Sequence, residues 1–439
     1  MTWYRVLSPL IEESLKRGHD VECWHQSGAK TLGVNCPNLL KVPTFKAGVP
    51  VIIEYEKPED IIQLVESKSP TVIIDLSPPK FPEIKRNKGG DNKNPFWLIA
   101  DLPPGCCIHD IQSDEELFGC DAFAMINEHY LESSINYCLQ DKMHLLASLK
   151  LQEADIGKEQ TRWVAQRFMY QWGNAQARFV RERSVLVGNA ALDHYPQIDR
   201  EAIRKRLGIP KEQRVVVLLP FPFGYDQTAP WEQMFDRASI IKRLLWVFKA
   251  NRFDYFFRAF YLRSKEDFIK ALRRFVDHND ALLIGKLRHT MKPQPELGKY
   301  CHFLFADEGY YPHTAAELFS IADLVVGHYS SGVMEAVALG TPFLNVDIPG
   351  YPKKFYGDTC VSGLCNESWP GAVWSMSIES ALHELPSESL DKFCISDSSR
   401  EEYLRKFASW PLGRASAQVM DYLEKMSVSK IINSVDAHN

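Results

Sequence analysis

Short apolar runs rich in valine, isoleucine and leucine alternate along the chain with segments of helical periodicity. The runs lack strict apolar–polar alternation, as expected for parallel strands covered on both faces. Several end in glycine, proline, aspartate or serine, which are typical of turns between a strand and a helix. The pattern predicts an α/β fold with doubly wound parallel sheets. The predicted strands lie near Val21, Val51, Val72, Leu98, Ala124, Val216, Leu283 and Val325.

The runs form two groups, separated by the segment SVLVGNAALDHYPQID, which reads as a strand, a turn and an exit loop. A charged helix ended by Gly208 and Pro210 follows it, and the next strand begins at Val215. We therefore expect two Rossmann-like domains facing a cleft, over residues 1–187 and 188–395. The helices over 396–439, broken at Pro411 and Gly413, are expected to cross back to the N-terminal domain.

The first segment departs from the doubly wound pattern, which normally opens with a central strand and a glycine-containing loop. Here MTWYRVLSPLIEESLKRGHD is an amphipathic helix with both acids and bases. The first strand is therefore very short or absent, or the natural protein begins further upstream. The segment also lacks the charged and apolar regions of a signal peptide.

Composition narrows the class of protein. The 439 residues are 45% hydrophobic and 24% charged, enough for two full cores. A formal net charge of -5 argues against a nucleic-acid partner. The ten cysteines are scattered without zinc-site spacing, which favours reduced thiols in a cytoplasmic protein and no metal site. No apolar run reaches about 18 residues, so we expect no membrane span.

The segment ADLVVGHYSSGVMEAVALGTPFLNV carries the strongest signal for a ligand site. A buried strand leads to a polar turn that begins at His328, and a helix begins near Val333. A helix N-terminus attracts anions, and Ser330 and Ser331 add hydroxyl donors. Gly332 lets a phosphate approach the backbone closely. The alternative is that one serine only caps the helix.

This turn resembles the element of bacterial GT-B transferases in which two serines are followed by an acidic residue. The closest pattern is that of the CDP-glycerol glycerophosphotransferase family and of bacterial sialyl- and Kdo-transferases. The matching residues are Tyr329, Ser330, Ser331 and Glu335. The resemblance implies that the serines bind the donor phosphate, and we expect Glu335 to accept hydrogen bonds from ribose hydroxyls.

The resemblance extends over roughly residues 185–349. VLVGNAALDHY is similar to an element between the GT-B domains, with Asn189 and Asp193 matching and Ala190 in place of a proline. ALLIGKLRHT is similar to a donor-phosphate element, although its histidine is shifted by one position and its proline is missing. We expect Lys286, with Arg288 or His289, to contact the donor phosphate. The alternative is a solvated basic loop.

Two further loops are expected beside the donor. In DEGYYPHT, Tyr310 or Tyr311 is predicted to stack on the nucleotide base, with ordinary packing as the alternative for Tyr311, and His313 is predicted to reach a phosphate. In PFPFGYDQT, Gly224 is predicted to bring the backbone to the donor phosphates. Asp226 is then placed to act as a base or a nucleophile, or else only forms the turn.

The N-terminal domain is expected to supply the acceptor site and the catalytic base. Three carboxylates follow predicted strands there, at Asp75, Asp101 and Glu128, with His129 beside the last of them. The alternative for each is a loop cap. No DxD triplet is present to hold a metal ion, so the leaving phosphate is expected to be stabilised by the helix dipole, hydroxyls and basic side chains.

Residues 240–274 mix many basic and aromatic residues. This mixture predicts peripheral contact with an anionic membrane at the inner face of the cell membrane, with two core-packed helices as the alternative.

The sequence favours a metal-independent glycosyltransferase. It would use a nucleotide-activated donor (CMP-, CDP- or UDP-linked) as substrate, without a cofactor, and act on a cell-surface glycan or a glycolipid such as lipopolysaccharide. The alternatives are an enzyme of the UDP-N-acetylglucosamine 2-epimerase type and a non-catalytic scaffold.

Overall fold

A computed structural model describes most of the chain. The described residues are 2–26, 43–57, 60–76, 95–101, 108, 111, 113–139, 170–220, 265–287, 295–306, 311–328, 330–347 and 368–436. The chain divides into two compact units. Unit 1 comprises Met1–Gly33, Pro43–Asp193 and Pro411–Asn439, and unit 2 comprises Val34–Val42 and His194–Trp410. The divisions follow Asp193 and Trp410, whereas the sequence suggested divisions after residues 187 and 395.

Unit 1 contains parallel strands and the helices that accompany them. Its strands are β1 (Glu22–Gln26), β2 (Val51–Tyr55), β3 (Val72–Asp75), β4 (Phe96–Asp101), β5 (Ala122–Met125) and β6 (Ser184–Leu186). Its helices are α1 (Thr2–Lys16), α2 (Asp60–Lys68), α3 (Asp114–Gly119), α4 (Glu128–Leu139), α5 (Asn174–Arg183) and α13 (Ala415–Asp436), with a 3-10 turn at Ala190–Leu192.

The strands of unit 1 form two separate parallel sheets, one of β1 and β2 and one in the order β3-β4-β5-β6. In a doubly wound sheet the first strand lies centrally, which here would be between β1 and β3. Among the described residues, no strand precedes α1. Within the described residues, the sheet of unit 1 is therefore interrupted between β1 and β3.

Burial differs sharply between the two sheets of unit 1. All four side chains of β5 are fully buried, because helices cover both faces of the larger sheet. In the smaller sheet, Val51 remains 57% exposed. At the ends of the chain, α1 packs on α13, and Arg17 forms ion pairs with Asp421 (2.8 Å) and Glu424 (3.1 Å).

Unit 2 contains a second set of alternating strands and helices. Its strands are β7 (Arg214–Leu218), β8 (Ala281–Lys286), β9 (Phe303–Phe305), β10 (Leu324–Gly327), β11 (Phe343–Asp347) and β12 (Val373–Ser377). Its helices are α6 (Arg200–Leu207), α7 (Lys265–His278), α8 (Pro295–Tyr300), α9 (Thr314–Ser320), α10 (Gly332–Ala338), α11 (Ile378–His383) and α12 (Asp397–Phe407). Short 3-10 turns cover Tyr195–Gln197, Leu385–Ser387 and Leu390–Lys392.

The six strands of unit 2 form one parallel sheet in the order β9-β8-β7-β10-β11-β12. Counted along the chain, this is the order 3-2-1-4-5-6 of a Rossmann sheet. The direction of winding reverses between β7 and β10. Ligands of such sheets bind outside the carboxyl ends of the strands at that reversal, which makes this edge the first place to look for a site.

Helix α7 contains the described part of the basic–aromatic segment. Its apolar side chains lie in the core of unit 2, where Phe268, Leu272 and Phe275 are fully buried. Its charges pair along the helix, as between Lys270 and Glu266 (3.2 Å). Residues 265–274 therefore follow the core-packed alternative, and residues 240–264 lie outside the described residues. No described helix is long and apolar enough to span a membrane.

The predicted α/β class is confirmed, and each strand predicted from an apolar run is present. The helix that the sequence placed after Asp199 is α6, which ends at Gly208 in the left-handed conformation (φ 67°). Glycine adopts this conformation without the steric cost that a Cβ imposes.

Candidate functional site

The reversal point of the unit 2 sheet brings together the ends of β7 and β10. The N–H of Leu219, just beyond β7, donates to the carbonyl of Val326 on β10 (2.8 Å). The chain leaves β10 at Gly327 and enters α10 at Gly332. The serine turn identified from the sequence therefore lies at the edge where Rossmann sheets bind their ligands.

The two serines of this turn have different surroundings. The Oγ atom of Ser330 accepts a hydrogen bond from the N–H of Gly332 (3.1 Å), so Ser330 stabilises the turn itself. Ser331 is exposed and occupies the N-cap position of α10, yet its side chain makes no capping hydrogen bond. The capping alternative therefore does not describe Ser331. Within the described part of the chain, the backbone N–H groups of Ser330 and Ser331 have no hydrogen-bond partner.

Gly332 is required by close packing rather than by its backbone angle. A Cβ at this position would lie 3.0 Å from Cδ1 of Leu219 and 3.2 Å from Oγ of Ser330. Both distances are shorter than ordinary carbon contacts. A larger residue would displace the Ser330 hydroxyl or separate β7 from the first turn of α10.

A buried polar group links the first turn of α10 to two other segments. His313 caps α9, with its Nδ1 accepting from the N–H of Ala316 (3.2 Å). The neutral ring therefore carries its proton on Nε2. That nitrogen lies 2.8 Å from the hydroxyl oxygen of Tyr195 and 3.4 Å from Oε2 of Glu335. His313 is 1% exposed and Glu335 9%. These contacts hold α9, α10 and the Tyr195 segment together.

The structure describes the surroundings of three residues that were predicted to contact the donor, namely His313, Glu335 and Tyr311. His313 and Glu335 face each other inside unit 2, and their contacts with a donor phosphate and ribose stay predictions. Tyr311 is half-buried, and its ring packs edge-on against His194 at 4.9 Å between centroids. The contacts of His313 and Glu335 support the first turn of α10.

Lys286 ends β8 and His328 directly follows β10 in the same sheet, and both side chains are buried. The Nζ of Lys286 donates to the carbonyl of Leu287 (2.6 Å). His328 is fully buried, with Nδ1 at 2.9 Å from the carbonyl oxygen of Val346 and its ring edge-on to Phe268. Burial lowers the pKa of His328 to about 4, against the opposing effect of the Val346 hydrogen bond. At neutral pH the ring is therefore uncharged, and its contacts with Val346 and Phe268 stabilise the start of the turn.

The carboxylates predicted in unit 1 follow adjacent strands. Asp75 ends β3 opposite Ile99 of β4, and Asp101 ends β4 opposite Met125 of β5. Glu128 is exposed and begins α4, directly beyond β5. The three residues therefore share the carboxyl edge of one sheet, as expected of parallel strands.

Two groups near the ends of β1 and β2 were not indicated by the sequence. The Nε2 of His25 lies 2.5 Å from the hydroxyl oxygen of Tyr4 in α1. Burial lowers the pKa of His25 and raises that of Tyr55, and the charge of Asp75 raises the pKa of Tyr55 further. Their positions in the strands ECWHQ and VIIEY were the available signal, but one histidine or tyrosine near a strand end does not by itself indicate a site.

Five predicted site residues lie outside the described residues, namely Gly224, Asp226, Arg288, His289 and Tyr310. Within the described ranges, no group of three or more histidine, cysteine, aspartate or glutamate side chains is arranged to hold a metal ion.

Comparison with known proteins adds information about the fold. No family model matches the sequence, and no curated protein matches it. Among solved structures, the wall teichoic acid polymerase TagF aligns with a TM-score of 0.52 and 13% identity, over 97% of this chain and 86% of that one. A putative UDP-N-acetylglucosamine 2-epimerase from Listeria monocytogenes aligns with a TM-score of 0.51 and 11% identity, over 97% and 94%. Both have the GT-B fold.

The chain has the GT-B fold.

At this level of identity the GT-B likeness concerns architecture alone, since fold does not determine reaction. One of the two similar structures is a polymerase and the other an epimerase, so the GT-B fold is compatible with both kinds of chemistry. The reaction that this chain catalyses therefore has to be inferred from the residues of the site.

Proposed function

We propose that the chain transfers a sugar or sugar-like group from a nucleotide-activated donor that binds to unit 2. The proposal rests on the turn from Ser330 to Gly332, at the reversal point of a Rossmann sheet in a GT-B fold. An exposed hydroxyl and two unsatisfied backbone N–H groups meet there at a helix N-terminus. Such an arrangement favours an anion, and a donor phosphate is the anion that this reaction requires.

The chemistry follows from charge development. When the sugar leaves the donor, negative charge accumulates on the phosphate oxygens. Fixed donors aimed at that position stabilise the transition state more than the ground state. We assign this role to Ser331 and to the backbone N–H groups of the turn, with Ser330, His313 and Glu335 holding the turn in place.

The acceptor is proposed to be a hydroxyl of a glycan or a lipid-linked glycan, with a CMP-, CDP- or UDP-linked donor. Its proton is proposed to pass to one of the unit 1 carboxylates, Asp75, Asp101 or Glu128, which share one sheet edge. Asp226 remains the proposed carboxylate on the donor side.

The test is a thermal-shift panel of UDP, GDP, ADP, CMP and CDP on the full chain. A nucleotide that binds only the folded state raises the melting temperature by mass action. We expect one base to give a selective shift. The double variant Ser330→Ala/Ser331→Ala should lose that shift while keeping its melting temperature without nucleotide within a few degrees.

The matched control is the adjacent serine pair in α12, changed as Ser398→Ala/Ser399→Ala. These serines lie in the first turn of α12, outside the Ser330–Gly332 turn, so this variant should retain the nucleotide shift. If no nucleotide shifts the wild-type protein, the donor proposal is wrong and a non-catalytic scaffold is favoured. If the α10 variant binds as well as the wild type, the turn is not the phosphate site.

The second candidate is a nucleotide-sugar 2-epimerase, which the alignment over 94% of the Listeria protein favours. Such an enzyme alters the donor with no acceptor present. Incubation with UDP-N-acetylglucosamine alone, followed by proton NMR, separates the two functions. A new sugar epimer identifies an epimerase, whereas nucleotide release that depends on an added acceptor identifies a transferase.

A further inference from the structure

A surface cavity of about 140 Å³ lies in unit 2 at the C-terminal end of α10. Its lining includes Tyr195, Arg200, Leu339 and Arg400. A single buried water needs only about 10–15 Å³, so the cavity has room for a group of several atoms. With seven residues, α10 is about 10 Å long, and the cavity therefore lies at the other end of this helix from Ser331.

Two arginines from different helices converge in the cavity. Arg200 begins α6 and donates from Nη2 to the carbonyl of Leu339. Arg400, in α12, donates from Nε to the carbonyl of Val337 (3.0 Å) and from Nη2 to that of Ala338. A Cβ at Gly340 would lie 3.8 Å from Nη2 of Arg200 and 3.8 Å from Cζ of Arg400. Both guanidinium groups therefore surround one point.

The two positive charges are not neutralised by a carboxylate. Within the described ranges neither arginine forms an ion pair, and Asp397 interacts with Arg400 only at longer range. The carbonyl oxygens at the end of α10 offset part of the charge through the helix dipole. Burial first, and then the charge of Arg200, lower the pKa of Arg400, as expected where like charges are held together.

Most N–H donors of Arg200 and Arg400 make no hydrogen bond to the described residues. A guanidinium has five N–H groups, of which Arg200 uses one and Arg400 uses two with described partners. The planar guanidinium presents pairs of N–H donors that match two oxygens of a phosphate or a carboxylate, and no other side chain does so as well.

We propose that Arg200 and Arg400 bind a small oxyanion of the phosphate class in this cavity. The site is separate from the serine turn and does not depend on the function proposed for it. Tyr195 lines the cavity, and its hydroxyl contacts His313, so one residue connects the cavity to the contacts that hold the first turn of α10. The proposed oxyanion site lies at the C-terminal end of α10, opposite the serine turn.

The test is calorimetric titration of the full-length protein with inorganic phosphate and, separately, with pyrophosphate, at constant ionic strength. We expect phosphate to bind and to raise the melting temperature by about 2–4 °C at saturating concentration. Arg200→Gln and Arg400→Gln should each weaken binding at least tenfold. The matched controls Arg206→Gln in α6 and Arg405→Gln in α12 should bind as the wild type does.

A second measurement needs no variant. Phenylglyoxal labels accessible arginines, and mass spectrometry of the folded wild type should show that phosphate slows labelling of Arg200 and Arg400 but not of Arg206. Absence of binding, or equal binding by all four arginine variants, overturns the proposal. Binding that is lost in Ser330→Ala/Ser331→Ala and kept in the Arg200 and Arg400 variants places the phosphate at the serine turn and also overturns it.

Discussion

Gly327 ends β10 against an aromatic ring of the neighbouring strand. A Cβ there would lie 2.8 Å from Cζ of Phe343, and that ring is fully buried and has no room to move. We expect Gly327→Ala to lower the free energy of unfolding by about 1–3 kcal/mol, as overpacked cores do. Urea unfolding of the variant and the wild type measures the difference.

Gly298 provides the matched control, because a Cβ there meets nothing within 4 Å. It lies inside α8, where alanine is favoured over glycine by about 0.5–1 kcal/mol. Gly298→Ala should therefore leave the unfolding free energy unchanged or raise it. Equal destabilisation by both substitutions would show that the packing of β10 on β11 does not require a glycine at position 327.

His328 predicts a loss of stability in acid. Its pKa is about 4 in the folded protein and near 6.5 in the unfolded chain. The unfolded state therefore binds the proton first as the pH falls. The contribution of His328 to the free energy of unfolding does not change above about pH 6.5, and it decreases by roughly 3 kcal/mol as the pH falls to about 4.

The measurement compares urea unfolding of wild type and His328→Gln at pH 7.5 and at pH 5. The variant will be less stable at both values, because it loses buried packing. Its difference from the wild type should narrow at pH 5, since glutamine does not titrate. A constant difference would contradict the lowered pKa.

At the residue scale, sequence reasoning located the serine turn because a strand end, two serines and a glycine are local features. It did not anticipate the surroundings of His313, whose Nε2 faces Tyr195 across 118 positions of sequence. Nor could it anticipate that Lys286 turns to the carbonyl of its own neighbour. Those contacts depend on tertiary packing, which local patterns do not specify.

Among the elements, α13 has an unusual N-terminal cap. The carboxylate of Asp193 accepts from the N–H of Ala415 (3.1 Å) and from that of Ser416 (2.6 Å). Burial raises the pKa of Asp193 in spite of these hydrogen bonds. The residue that matched a GT-B sequence element thus has a structural role, namely capping a helix that begins more than two hundred residues later.

We expect Asp193→Ala to destabilise unit 1 by about 1–2 kcal/mol, because α13 loses the partner of two backbone N–H groups. Thermal unfolding followed by circular dichroism measures it. Glu182→Ala in α5 is the control, since Glu182 is 68% exposed and pairs only weakly with Arg178. A cap that contributes nothing would leave the two variants equally stable.

For the whole molecule, the sequence predicted the class of fold and the order of strands and helices, since buried parallel strands are continuous apolar runs. Unit 2 follows that expectation fully. Unit 1 does not, because strand pairing is a long-range property and the apolar run near Val51 looks like that of any other strand. The partial exposure of Val51 follows from the two-stranded sheet to which it belongs, and the sequence pattern does not predict that pairing.

The interrupted sheet of unit 1 predicts uneven protection of backbone amides. Within the described residues, β1 and β2 pair only with each other, whereas β4 and β5 have hydrogen-bonded neighbours on both sides. In hydrogen–deuterium exchange, amides of Val51–Tyr55 should exchange at least about tenfold faster than those of Ala122–Met125. Equal protection of the two segments would mean that β1 and β3 share a continuous sheet in solution.

The pairing of α1 with α13 has a consequence for synthesis on the ribosome. Arg17 and its partner Asp421 lie 404 positions apart, so the ion pair has to wait for nearly the whole chain to be translated. At about 5–20 residues per second, that delay is roughly 20–80 s. Unit 2 lies between them in sequence and emerges first as a complete set of strands. The part of the protein made first is therefore the last to be finished.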